Sequence, residues 1–240
     1  MLLRRSRDRG FANHGWLQSY HSFSFANYFD RNFMSFGDLR VINDDLIAGN
    51  SGFDLHPHSN MEIITFVLKG AITHGDNLGN SEEISAGNFQ VMSAGSGIIH
   101  SEFNRRSEVC RLLQIWIKPS ILGGAPYYRI FSPDTSEKFT LIASPTGEQS
   151  SIKIRQDAEV WVLDSQNLDK ITDTILPKTN KNLFWLHIAE GEVDFWGIKL
   201  SEGDAIAGNF MGFEEKFYQE KFGRNIHFKR LSKILLFYLK

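Results

Sequence analysis

The chain has 240 residues, 42% of them hydrophobic and 22% charged, and 26 Lys and Arg against 28 Asp and Glu leave a formal net charge of −2. This is the balance of an ordinary globular protein, long enough for one large or two small domains, and it excludes strong overall attraction to nucleic acid or to an acidic membrane. The single cysteine, Cys110, excludes an intramolecular disulfide and any site built from several thiolates.

The chain opens on a basic cluster, Arg4, Arg5, Arg7 and Arg9, without the long apolar stretch of a signal peptide. Residues 211–240 carry seven Lys or Arg against three Glu. Both basic segments read as solvated faces. No run of about 18 apolar residues occurs, so no membrane span is expected and the protein reads as cytoplasmic.

Short runs rich in Val, Ile, Phe and Trp follow one another at 39–42, 62–68, 89–92, 109–117, 139–143, 151–155, 160–163, 183–188, 193–196 and 234–239. Gly, Asn, Asp and Ser bound them, with turn signals at 76–80, 86–88 and 189–191. Many short strands at close spacing predict an all-β sandwich or barrel. Helical periodicity is scarce, and one short helix is expected at 134–138. Cys110 falls within a strand, as a small core residue.

An internal echo suggests two such barrels in tandem. Val67 to Ala71 followed by Ile84 to Asn88 resembles Ile188 to Glu192 followed by Leu200 to Asp204, each a strand ending at a Gly turn with a second Gly turn beyond. Lys118-Pro119 and Gly123-Gly124-Ala125-Pro126 break the strand pattern between the halves. The expected division is a metal-binding barrel over 1–125 and a barrel without metal ligands over 126–240, where 183–210 holds only His187.

Two pairs of ligand-type residues carry the chemistry. His56-Pro57-His58 and His100-Ser101-Glu102 each place two such side chains at i and i+2, which share one face of a strand. Pro57 lacks a backbone donor and suits an edge strand or a strand start. On neighbouring strands the four side chains converge as three imidazoles and a carboxylate, a donor set for one divalent metal.

The pattern His56-x-His58-x3-Glu62, then Gly95-Ser96-Gly97-x2-His100-x3-Asn104, resembles the two cupin motifs. A fuller resemblance is to the pirin family and its bacterial quercetin 2,3-dioxygenases. Its carriers are Arg9-Gly10, His14-Gly15-Trp16-Leu17, His21-Ser22-Phe23-Ser24-Phe25, Arg40-Val41-Ile42-Asn43-Asp44-Asp45, His56-Pro57-His58, and Met92 to Gly97 with His100-Ser101-Glu102. It is dense over 4–117 and thin afterward. Ser59-Asn60 and Ile99 depart from the family pattern, removing charge beside the site and no ligand.

The resemblance implies a bicupin, two tandem jelly-roll barrels with few short helices, and metal ligands at His56, His58, His100 and Glu102. It implies Fe(II), although Mn, Co, Ni, Cu and Zn accept the same donors. The implied reaction is cleavage of a flavonol such as quercetin with O2, releasing carbon monoxide, with Glu102 as ligand and proton acceptor. The alternative is a non-enzymatic, redox-responsive regulator that binds a protein partner. A monomer is expected. Glu62 reads as structural or as a support behind the ligands, His74 as a rim or surface residue, and His14 and His21 as packing and hydrogen-bonding residues. Gln114 and Trp116 share a strand face, lining the cavity or packing in the core.

Overall fold

A computed structural model describes every residue except 135–136, 166–173, 210–224 and 230. The fold is all-β. The strands are β1 (Leu2–Arg4), β2 (Gly10–Asn13), β3 (Leu17–His21), β4 (Leu39–Ile47), β5 (Ser51–His58), β6 (Glu62–Lys69), β7 (Ala71–Asp76) and β8 (Ser81–Ser85). They continue as β9 (Phe89–Ser93), β10 (Ile98–Asn104), β11 (Cys110–Ile117), β12 (Tyr127–Phe131), β13 (Phe139–Ser144), β14 (Ile152–Lys153) and β15 (Glu159–Asp164). The last are β16 (Thr174–Ile175), β17 (Leu183–Glu190), β18 (Glu192–Phe195), β19 (Ile198–Ser201), β20 (Ala205–Asn209), β21 (Asn225–Phe228) and β22 (Lys233–Leu239).

Single 3-10 turns lie at Ser6–Asp8 and Glu148–Ser150. Of the short helix expected at 134–138, residues 135 and 136 lie outside the described residues, and 134, 137 and 138 are not helical. No helix among the described residues is long and apolar enough to cross a membrane.

The chain forms two compact units, one of Arg9–Pro133 with Ser144–Asp157 and the other of Met1–Asp8, Asp134–Ala143 and Ala158–Lys240. This differs from the expected 1–125 and 126–240 division. β1 adds to β20 with Leu2 opposite Ala207, which ties the first residues to the C-terminal unit. β12 pairs with β9 from Tyr127 to Phe131, which keeps the chain in the first unit past residue 125.

In the first unit a seven-stranded sheet, β12-β9-β6-β11-β4-β3-β2, faces a four-stranded sheet, β5-β10-β7-β8. Leu17, Ile47, Val67, Cys110 and Leu112 from the larger sheet pack against Ile72 and Ile84 from the smaller. Each such side chain contributes roughly 1.5–3 kcal/mol through burial. Cys110 is a core residue, as expected, and burial pushes its thiol up to about 12. The expected barrel is thus a pair of facing sheets.

The second unit sets β1-β20-β17-β22-β15-β13 against β16-β21-β18-β19. Phe184, Leu186 and Ile188 on β17 alternate inward, as do Ile234, Leu236 and Tyr238 on β22, and Val193, Phe195, Ile226 and Phe228 meet them from the smaller sheet.

The internal echo is a structural repeat. β6 turns into β7 at Gly70 with φ 74°, and β17 turns into β18 at Gly191 with φ 91°. The second turns match as well. Gly87 donates to the Val67 carbonyl at 2.8 Å, and Gly203 donates to Ile188 at 2.8 Å. Positive φ alone favours glycine, and at Gly191 a Cβ would also lie 2.3 Å from the Leu231 carbonyl oxygen.

The N-terminal arginines correct the expectation of a solvated face. Arg4 is buried. Arg5 pairs with Asp204 at 2.8 Å. Arg9 lies over the Tyr20 ring and reaches Asp44, which also takes two bonds from Arg111 at 2.9 and 3.0 Å. Arg7 does remain exposed. Of the basic C-terminal segment, 211–224 and 230 lie outside the described residues, and Lys233 pairs with Glu190 at 3.0 Å.

Candidate metal centre

β5 is the outer strand of the four-stranded sheet, where the missing donor of Pro57 does no harm. Its alternation points His56 and His58 the same way. β10 pairs beside it with His100 opposite His56. The three imidazoles therefore converge, with potential ligand atoms all within 4.8 Å of one another. Ring centroids lie 4.8 Å apart for His56 and His58, 4.4 Å for His56 and His100, and 5.0 Å for His58 and His100.

The surroundings of the rings suit them to bind a metal. His56 Nδ1 donates to the Asp54 carbonyl at 2.7 Å, which leaves Nε2 as the lone-pair nitrogen. Burial, then the neighbouring histidines, lower His58 to about 4 and His100 to about 3. Both are unprotonated at neutral pH, the form that binds metal. His100 Nε2 is buried with no protein partner. A buried nitrogen without a hydrogen bond costs about 1–3 kcal/mol, which a coordinated ion would relieve. The donor set fits a divalent metal.

Behind His100 stands a pair with no place in the sequence reading. His74, expected at the rim or surface, is fully buried because it points inward from β7, beside β10. Its Nε2 meets Asp76 Oδ2 at 2.9 Å, its Nδ1 lies 3.5 Å from His100 Nδ1, and its ring stacks on Tyr128 at 4.0 Å. With Nε2–H donated to the carboxylate, His74 Nδ1 accepts from His100, and the His100 lone pair is left on Nε2. The sequence signal was available, since His74 and Asp76 also stand at i and i+2.

Glu102 lies beyond a bulge that shifts β10 against β5 between His100 and Glu102. It stands outside the three-histidine cluster and lines the same cavity. Oε1 accepts from Thr65 Oγ1 at 3.1 Å and from Gln90 Nε2, and Oε2 accepts from Gln114 Nε2 at 2.9 Å. Glu62 sits apart, fully buried, taking a 2.7 Å bond from Ser93, and burial raises its pKa. Its place is structural, as expected.

The cavity measures about 450 Å³. Phe11, Phe25, Tyr28, Phe53 and Trp116 give it aromatic walls. Trp116 meets His58 edge-on at 5.1 Å, so Gln114 and Trp116 do line the cavity. His21 packs and hydrogen-bonds as expected, whereas His14 is an exposed residue at the cavity wall. Asn60 has φ 52° and accepts a 2.7 Å bond from Gly123, so this departure from the family pattern serves the turn after β5. Ile99 points outward and is exposed.

Comparison with known proteins settles the family. The Pirin family model matches residues 3–117, and the chain is 45% identical over 212 residues to a quercetin 2,3-dioxygenase of Escherichia coli K12, covering 86% of this chain and 89% of that one. The chain belongs to the pirin family. A model described as quercetinase C-terminal cupin domain matches residues 141–210 of this pirin, so the two units are a bicupin. A pirin-like protein of Caulobacter vibrioides is 46% identical over 85% of this chain and 89% of its own length. The crystal structure of Escherichia coli YhhW superposes with a TM-score of 0.88 at 40% identity, covering 100% of this pirin and 97% of YhhW. A second structure of YhhW, in complex with nickel(II), gives 0.86 at 41% identity, covering 99% and 98%.

Proposed function

We propose that this pirin is a metal-dependent dioxygenase that cleaves a flavonol such as quercetin with O2, holding one divalent metal through His56, His58, His100 and Glu102. One observation carries the reading: three converging imidazoles and a carboxylate open together into an aromatic-walled cavity of about 450 Å³. That volume suits one small planar ligand. A concave, aromatic-walled cavity favours a small substrate over a protein-binding surface. Fe(II) is the ion proposed, with the nickel of YhhW showing that the relative accepts another. We place the enzyme in the cytoplasm as a monomer, since its lone thiol suits a reducing compartment.

When bound, the metal supplies Lewis-acid and redox chemistry toward a hydroxy-ketone and dioxygen. The remaining work falls to the chain. Glu102 accepts the proton of the flavonol 3-hydroxyl, and Thr65, Gln90 and Gln114 hold its carboxylate in place. Trp116 and Phe25, edge to face at 5.5 Å, hold the flavonol plane and keep out water. The ring opens as both oxygen atoms of O2 enter the product and one carbon leaves as carbon monoxide, with no external reductant.

The test is oxygen uptake with quercetin by Fe(II)-loaded protein, beside His56→Ala prepared identically, with bound metal quantified in both. Metal-dependent uptake that the variant loses supports the proposal. A folded, fully loaded protein that consumes no oxygen would overturn it.

A further inference from the structure

A polar row crosses the seven-stranded sheet, and its Gln114, Asn43 and His21 line the cavity. Gln90 stands opposite Thr65, Thr65 opposite Gln114, Gln114 opposite Asn43, and Asn43 opposite His21. In-register neighbours on one sheet face form a straight line across the strands. The first three residues of the line grip Glu102. The last two do not touch it. Strands lie about 4.8 Å apart, so His21 stands two strands, on the order of 10 Å, beyond Gln114.

That far end is built and buried. Asn43 and His21 are each 3% exposed and both line the cavity. His21 Nδ1 donates to Asn43 Oδ1 at 2.8 Å, and burial lowers the ring's pKa, so Nε2 is an acceptor. Two residues along the same strands lie Ser19 and Asp45, also buried and cavity-lining, with Ser19 donating to Asp45 Oδ1. These bonds leave His21 Nε2, Asn43 Nδ2 and Asp45 Oδ2 without a protein partner among the described residues. These three side chains line the cavity, and an acceptor and a donor side by side there suit a ligand bearing hydroxyls. Phe25 and Tyr28 flank the His21 ring at 5.3 and 6.2 Å, so the ligand portion lodged there is aromatic.

We propose that His21 and Asn43, backed by Asp45 and Ser19, form a subsite that reads hydroxyl groups on the ring of the substrate remote from the metal. The inference deepens the dioxygenase reading and rests on it. The subsite makes a hydroxylated flavonol the preferred substrate over the bare flavonol skeleton.

The experiment compares quercetin with 3-hydroxyflavone, which keeps the metal-binding hydroxy-ketone and lacks the remote hydroxyls. Binding is measured by calorimetry on nickel-loaded protein without oxygen, and kcat/KM on Fe(II)-loaded protein. The unmodified protein should prefer quercetin by about tenfold or more in both, since a site built to bond a hydroxyl rejects the ligand that lacks it. In His21→Phe and Asn43→Leu that preference should shrink to about twofold or less. Equal binding of the two flavonols by the unmodified protein overturns the subsite and leaves the dioxygenase reading standing. That comparison needs no variant, so a variant that fails to fold does not rescue the proposal. Preference retained in both folded variants also overturns it. If neither flavonol binds, the dioxygenase reading falls and the subsite falls with it.

Discussion

Asp45→Asn should stabilise the metal-free protein by an amount that grows with pH. Asp45 is fully buried, and desolvation raises its carboxyl from 3.8 to about 7, opposed by the Ser19 hydrogen bond and helped by Asp44 and Glu102. At 1.36 kcal/mol per pH unit the rise is worth about 4 kcal/mol as an upper bound. The sign follows from proton binding. Between 3.8 and 7 the folded state holds the proton more tightly than the unfolded state, so this stabilising contribution is complete below 3.8 and is lost as pH rises through about 7. Asparagine keeps an oxygen for Ser19 and carries no charge at any pH. Relative to pH values below 3.8 the parent loses about 1 kcal/mol by pH 4.5 and about 4 by pH 8.5, so the variant should gain about 3 kcal/mol on it between those two pH values. Urea denaturation of both proteins in chelator across that range measures the difference. Groups common to both proteins cancel in it, the histidine cluster included. A difference that stays constant with pH would refute the reasoning, because it would show that Asp45 titrates alike in the folded and unfolded chain.

Two further outcomes test the site's scaffold. Asp76→Asn and His74→Phe should each weaken metal binding by about 10–100-fold without removing a ligand, measured by competition with a chromophoric chelator. Unchanged affinity in both would show that the His74 contact does not orient His100. Gly52→Ala should cost about 1–3 kcal/mol in thermal unfolding and weaken metal binding as well. A Cβ at Gly52 would stand 2.3 Å from the Glu102 carbonyl oxygen and 2.5 Å from Phe103 Cα, both backbone atoms, so β5 must move off β10. Normal metal affinity in a destabilised variant would argue that the histidine geometry survives that movement.

Much of the site was legible because its chemistry is local in sequence. His56 with His58, and His100 with Glu102, sit at the strand period, and two short segments brought side by side suffice to assemble the cluster. His74 and Asp76 share the same spacing, yet His74 reads as a rim residue because nothing near it in sequence says that β7 lies beside β10. The polar row was invisible as a motif for the same reason, with one residue on each of five strands. Its trace is nonetheless present. Thr65 and Gln114 interrupt runs that are otherwise apolar, and such an interruption in a buried strand marks a side chain that must find a polar partner. Residues 1–8 belong with the C-terminal unit through a strand pairing across some 200 positions, which no local pattern encodes.

The repeat shows how one fold carries a site in one copy and a core in the other. In the first unit β10 lies between β5 and β7, and in the second β21 lies between β16 and β18. The turns match glycine for glycine, so the backbone does not distinguish them. The inward residues do. β10 presents His100 and Glu102 to a cavity, whereas β21 presents Ile226 and Phe228 to a packed interior with Val193 and Phe195. A buried imidazole, two half-buried ones and a buried carboxylate cannot be close-packed among apolar side chains without a cost in desolvation, so the first unit stays open and keeps polar partners along its floor. The second closes on aromatic and aliphatic side chains that need none.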